Sequence, residues 1–216
     1  MNVNLIWDAD GTLIDSYDSI IDSINKTIER YNLSFDRNNI RDTIQNTSTG
    51  SFLEEIGKRY HLNSKELWDF YNSIEIDYSK IKLMPNVKEV LEELNSKGIN
   101  NYIYTHRGDS LYRILEILDI DKYFVEVVGK NNCFKRKPSP EAINYLINKY
   151  QLDKENTYYV GDRLIDQESA RNAGIGAIYY QSYKGITLDS KDYDYRIDDL
   201  NELLELDIFA VKQKQY

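Results

Sequence analysis

The stretch Val3-Asn4-Leu5-Ile6-Trp7-Asp8-Ala9-Asp10-Gly11-Thr12-Leu13-Ile14-Asp15-Ser16 passes from an apolar run straight into two carboxylates and a glycine. Such a run predicts a buried strand, and the glycine predicts a turn at its carboxyl end. Asp8 and Asp10 stand at i and i+2, so on an extended backbone their side chains share a face. That pairing suits one carboxylate as a nucleophile and the other as its acid/base partner. A calcium loop does not fit. Counted from Asp8, its sixth position is Leu13, where the sharp turn needs Gly, and its twelfth is Ser19, where the ion needs Glu.

Beyond this stretch the spacing turns helical: Ile20, Ile21, Ile24 and Ile28, then Phe52, Leu53 and Ile56, then Leu67, Trp68 and Tyr71. Met84-Pro85-Asn86 breaks the pattern. A helix with Val87, Val90, Leu91 and Leu94 on one face follows, closed by Lys97-Gly98. Strands are then predicted at 101–104, 125–128, 157–160 and 176–180, alternating with helices at 110–118, 140–150 and 166–173. This alternation predicts an α/β fold, a parallel sheet with helices on both faces. An ordinary crossover between parallel strands takes about 30 residues, yet about 97 separate Asp8 from Thr105. The surplus is helical, so residues 16–82 are expected to form an inserted α-helical cap. Residues 1–15 and 83–216 would then form the core, with 212–216 a loosely held polar tail.

Composition removes several function classes. Leu, Ile, Val and Phe make up 59 of 216 residues, enough for a proper core without disulfides or a structural metal. The formal charge of −9 is the wrong sign for broad attraction to nucleic acid or anionic lipid, so neither is expected as a partner. Apolar runs stop after a few residues and Met1-Asn2-Val3-Asn4 carries no basic leader pattern, so neither secretion nor a membrane span is expected. The single cysteine, Cys133, has no partner thiol and no Cys/His cluster, and is expected to be a bystander in a cytoplasmic protein. Gly174-Ile175-Gly176 lacks the spacing of a dinucleotide loop. The 19 tyrosines read as compositional bias, and His61 as an exposed helix-end histidine.

In an open parallel sheet ligands gather at the carboxyl ends of the strands. Four elements fall there. The Asp8–Asp10 pair is the first. Thr105, in Tyr104-Thr105-His106-Arg107, places a hydroxyl where a phosphoryl oxygen needs a donor, with His106 and Arg107 at the mouth of the same site. Lys137, in Lys137-Pro138-Ser139-Pro140-Glu141, supplies a point charge just before a helix whose expected N-cap is Ser139 and first residue Pro140. Asp162 and Asp166, in Gly161-Asp162-Arg163-Leu164-Ile165-Asp166, form an acidic pair suited to oxygen-ligated Mg2+.

Taken together, the DxDGTxxDS string, the hydroxyl after the second core strand, KPxPE and GDxxxD resemble the haloacid dehalogenase superfamily, in the subfamily with a helical cap inserted after the first motif. Phosphoglycolate phosphatases and beta-phosphoglucomutases are of this kind, and the resemblance covers nearly the whole chain. It implies a Rossmann-like core with a helical cap and a Mg2+-dependent phosphatase acting on a small phosphorylated metabolite. By this resemblance Asp8 is the nucleophile that forms an aspartyl-phosphate, and Asp10 protonates the leaving oxygen and later deprotonates water. Thr105 and Lys137 hold the transferring phosphoryl oxygens, with His106 and Arg107 as further substrate contacts. Mg2+ is held by the Asp8 carboxylate, the Asp10 carbonyl and Asp162, with Asp166 a ligand directly or through water. Thr49 and Gly50, in the hydroxyl-rich segment Asn46-Thr47-Ser48-Thr49-Gly50-Ser51, stand where a cap loop reaches the leaving group. A phosphosugar mutase shares all four motifs and stays open at this point, as does a non-catalytic binding module on the same scaffold. A monomer is expected.

Overall fold

A computed structural model describes residues 3–34, 39–185 and 187–209; the expected tail at 212–216 lies outside them. In chain order the elements are β1 (Asn4–Trp7), β2 (Ile14–Asp15), α1 (Tyr17–Arg30), α2 (Ile40–Asn46), α3 (Thr49–Tyr60) and α4 (Ser64–Ser73). Then come β3 (Lys82–Leu83), α5 (Val87–Ser96), β4 (Asn100–Tyr104), α6 (Ser110–Ile117), β5 (Phe124–Val128), α7 (Glu141–Tyr150), β6 (Thr157–Gly161), α8 (Leu164–Ala173), β7 (Gly176–Tyr180) and β8 (Tyr195–Ile197). The chain divides into two compact units, one of Met1–Ile14 with Leu83–Tyr216 and one of Asp15–Lys82.

The first unit is built on a six-stranded parallel sheet in the order β5-β4-β1-β6-β7-β8. Every residue of β1 is buried, as a strand covered on both faces must be. After β1 the chain builds outward through β4 and β5, then crosses back to lay β6 on the other side of β1, with Trp7 opposite Val160. That reversal opens a crevice at the carboxyl ends of β1 and β6, where an open sheet of this kind binds its ligand. One core cluster joins Ile6, Tyr102, Tyr104, Val128, Ile143, Leu146 and Tyr159. Each aliphatic side chain so buried contributes about 1.5–3 kcal/mol of transfer free energy.

The second unit is helical. Ile24, Ile28, Ile40, Ile44, Phe52, Leu53, Ile56 and Leu67 bury one stripe from each of its four helices against the others. Ser48 caps α3 by accepting the Ser51 amide at 3.0 Å, and Asn63 caps α4 by accepting the Lys65 amide at 2.9 Å. His61 ends α3 in the left-handed region at φ 53° and is exposed.

Three details differ from the sequence reading. The helix expected from Pro140 begins at Glu141, with Pro140 itself as N-cap and the Ser139 hydroxyl accepting the Glu141 amide at 3.4 Å. Two-residue strands β2 and β3 pair with each other; they are too short to carry a hydrophobic period. The sixth strand, β8, went unpredicted because it holds three residues with one buried apolar side chain, Ile197, on a charged edge. Among the described residues no helix is long and apolar enough to cross a membrane.

Candidate active site

β1 and β6 end side by side and deliver Asp8 and Asp162 into the crevice. The Asp8 amide is pinned to the Val160 carbonyl at 2.9 Å, which extends the β1–β6 register by one residue. Gly11 then turns the chain at φ 86°, a conformation that disfavours side chains. A Cβ at Gly11 would come within 2.3 Å of Asp162 Oδ2, so glycine is required on two counts. Asp166 enters from the first turn of α8, where its Oδ2 accepts the Arg163 amide at 3.1 Å and satisfies an otherwise orphaned helix N–H. Gln167, the next residue, donates to the Gly161 carbonyl at 3.0 Å and ties α8 to the end of β6.

Lys137 reaches this cluster from the irregular segment between β5 and α7, whose Lys137–Pro138 bond is cis. Its Nζ donates to Asp8 Oδ1 at 2.6 Å and to Asp166 Oδ1 at 2.7 Å, and all three side chains are fully or almost fully buried. The ammonium also lies 5.1 Å from the ring centroids of both Tyr104 and Tyr159. Burial works against its charge, but Asp166 and Asp8 more than offset this and hold its pKa above the usual lysine value. Burial pushes the Asp8 carboxyl up to about 6 against the pull of Lys137. Asp162, buried beside the same carboxylates, is raised well above the ordinary range.

Ligand oxygens of Asp8, Asp162 and Asp166 lie within 4.8 Å of one another. Among the described residues Asp8 Oδ2 is buried with no hydrogen-bond partner, and Asp162 Oδ1 accepts a long 3.4 Å bond from the Thr12 hydroxyl. Buried carboxylate oxygens in this state are costly unless a cation meets them. The oxygen-only donor set and the orphaned Oδ2 therefore fit a hard divalent ion such as Mg2+.

The other expected residues divide into two groups. Thr105 is buried at the end of β4, its hydroxyl oxygen accepting the Arg107 amide at 3.2 Å, which leaves the hydroxyl proton to donate elsewhere. Arg107 grips both oxygens of Asp10: Nε donates at 3.0 and 3.1 Å and Nη2 at 2.5 Å. Asp8 and Asp10 thus serve different cations, although they are near neighbours in sequence. His106 faces inward, its Nε2 accepting the Lys137 amide at 2.8 Å. Thr49 and Gly50 lie in the helical unit, where they open α3. Sequence reasoning missed Tyr104 and Tyr159, set aside with the other tyrosines, and Gln167. The signal for Tyr104 was its place immediately before Thr105 on a buried strand.

Comparison with known proteins finds relatives of this chain in both sequence and fold. The family model for haloacid dehalogenase-like hydrolases matches residues 5–180. The phosphoglycolate phosphatase of Vibrio parahaemolyticus is 28% identical over 216 residues, 94% of each chain. A protein of Caldanaerobacter subterraneus provisionally named pyrophosphatase PpaX is 30% identical over 152 residues, 66% of this chain and 69% of its own. The crystal structure of a predicted phosphoglycolate phosphatase from Haemophilus somnus superimposes with a TM-score of 0.78 at 25% identity, covering 94% of this chain and 97% of that one.

Proposed function

The chain belongs to the haloacid dehalogenase-like hydrolases, and from that premise we propose that it is a Mg2+-dependent phosphatase of small phosphate monoesters of the phosphoglycolate kind, a cytoplasmic monomer. The observation that carries this reading is the buried cluster in which Lys137 joins Asp8 and Asp166 while Asp8 Oδ2 is left without a partner beside Asp162. A chain of net charge −9 repels phosphate in bulk; Lys137 and a divalent metal would cancel the charge of Asp8, Asp162 and Asp166 locally.

Asp8, Asp162, Asp166 and the Asp10 carbonyl would hold the ion. When bound, Mg2+ offsets the carboxylate charge and polarises a phosphoryl oxygen. Asp8 attacks phosphorus in line; the bond from phosphorus to the ester oxygen breaks as the bond to Asp8 forms. Asp10 gives its proton to the departing oxygen, then takes one from the water that cleaves the aspartyl-phosphate and frees inorganic phosphate. General acid–base help of this kind contributes roughly 10²–10⁴-fold. Lys137 and the Thr105 hydroxyl donate to the equatorial oxygens, where charge develops. Arg107 must release Asp10 for this step, and a second anionic group on the substrate offers the guanidinium an alternative partner. The helical unit, with Thr49 and Gly50, is assigned to substrate selection.

The test is phosphate release from phosphoglycolate, a sugar phosphate, a nucleoside monophosphate and pyrophosphate, with and without Mg2+, for wild type beside Asp8→Asn. Release that requires both the ion and Asp8 is expected. Release undiminished in the Asn variant, or none from any substrate, overturns the reading.

A further inference from the structure

Lys137 has a positioning problem that its two carboxylates do not solve. A lysine stem carries about 2 kcal/mol of rotamer entropy, and this one springs from residues 133–140, which form no helix or strand. Its ammonium must nevertheless reach 2.6 and 2.7 Å from two buried oxygens. The far end is held by Asp8, Asp166 and the rings of Tyr104 and Tyr159. What fixes the near end is the Lys137 backbone amide, which donates to His106 Nε2 at 2.8 Å across 31 residues of sequence.

A backbone N–H only donates, so the nitrogen facing it must offer a lone pair and the imidazole must be neutral. Its surroundings agree: burial first, then Lys137, Arg136 and Arg163, push His106 down to about 2. The ring itself is set edge-on against Tyr104, 6.4 Å between centroids at 80°. Tyr104 in turn receives the Tyr159 hydroxyl on its carbonyl at 2.6 Å. A hydrogen bond thereby joins the loop after β4 to the lysine segment, a ring contact joins that loop to Tyr104 at the end of β4, and a second hydrogen bond joins Tyr104 to β6.

We infer that His106 is the positioning residue for Lys137: its Nε2 anchors the lysine backbone so that the ammonium falls between Asp8 and Asp166. His106 neither contacts the reacting atoms nor moves a proton. This rests on the reading above in which Lys137 holds the transferring phosphoryl group. Its consequence is that the imidazole next to Thr105 serves as an internal acceptor instead of a substrate contact.

The test compares His106→Phe, which keeps a ring and loses the acceptor, with His106→Gln, whose amide oxygen restores one. Turnover of p-nitrophenyl phosphate and competitive inhibition by inorganic phosphate are read for both, for Lys137→Ala, and for the double variant with Phe. A misplaced catalytic group costs on the order of 10²-fold. The Phe variant is therefore expected to lose roughly that much in kcat and to bind phosphate more weakly, while Gln recovers most of the loss. In the Lys137→Ala background the Phe change is expected to cost nothing further, which a merely structural role would not produce. An equal loss from Phe in both backgrounds, or no loss from Phe where Lys137→Ala is impaired, overturns the inference alone. Full activity of Lys137→Ala overturns it together with the role given to Lys137. Should the Phe variant not fold, amide exchange in the wild type decides: a protected Lys137 N–H supports the anchor, and free exchange refutes it.

Discussion

Replacing Lys137 by Met should turn the active site into an electrostatic liability. The ammonium sits 2.6 Å from Asp8 and 2.7 Å from Asp166, and neither carboxylate has solvent to fall back on. Met keeps most of the stem's volume and removes the charge, leaving Asp8, Asp162 and Asp166 with oxygens inside 4.8 Å of one another. Breaking a buried pair from one side costs about 3–5 kcal/mol. For a chain of this length 1 kcal/mol moves Tm by roughly 2–4 °C, so a drop of order 10 °C is expected at pH 7.5 in EDTA. The pH dependence follows from Asp8, raised from 3.8 to about 6 chiefly by burial. On acidification the folded chain takes up this proton before the unfolded one does. The penalty is thus full above pH 6 and fades below it, and without Lys137 the carboxyl rises further. The deficit should accordingly shrink at pH 5, and Mg2+ at pH 7.5 should shrink it as well. Calorimetric melting at the two pH values, with EDTA and then with Mg2+, reads all of this. A Met variant that melts with the wild type at pH 7.5 in EDTA would refute the view that Lys137 neutralises the cluster.

Gly11→Ala places a Cβ 2.3 Å from Asp162 Oδ2 at a φ of 86°; it should weaken Mg2+ binding at least tenfold by calorimetric titration, and wild-type affinity would contradict the close approach. Burial, with Lys137, Arg136 and Arg163 nearby, pushes His106 down to about 2 in the folded chain from the ordinary 6.5. The unfolded chain therefore takes the proton first as pH falls, and this residue's share of stability is lost from about pH 6.5 downward. Between pH 7.5 and 5 the wild type should lose about 2 kcal/mol relative to His106→Gln in urea denaturation, whereas parallel curves would show that the imidazole is not kept neutral by the fold.

The sequence by itself determined the reactive inventory and most of the scaffold. β1, β4, β5, β6 and β7 each present a short apolar run with a turn behind it, and a residue immediately past a strand is at the carboxyl edge wherever the strand lies in the sheet. Asp8, Thr105 and Asp162 could be placed from that rule alone, because identity and edge position are local properties. The pairing of charges was not local. That Asp10 would take Arg107 while Asp8 took Lys137 depends on side chains 97 and 129 residues apart meeting in one crevice. That His106 would turn inward to the Lys137 amide depends on the path of a segment with no hydrophobic period to read. Tyr104 and Tyr159 could not be told from the other tyrosines until β4 and β6, the two strands that flank β1, brought both rings to 5.1 Å from one ammonium. A sequence pattern records which groups are present and how the backbone repeats, but the partner of a buried charge is whichever opposite group the packing brings within about 3 Å, and only the tertiary structure decides that.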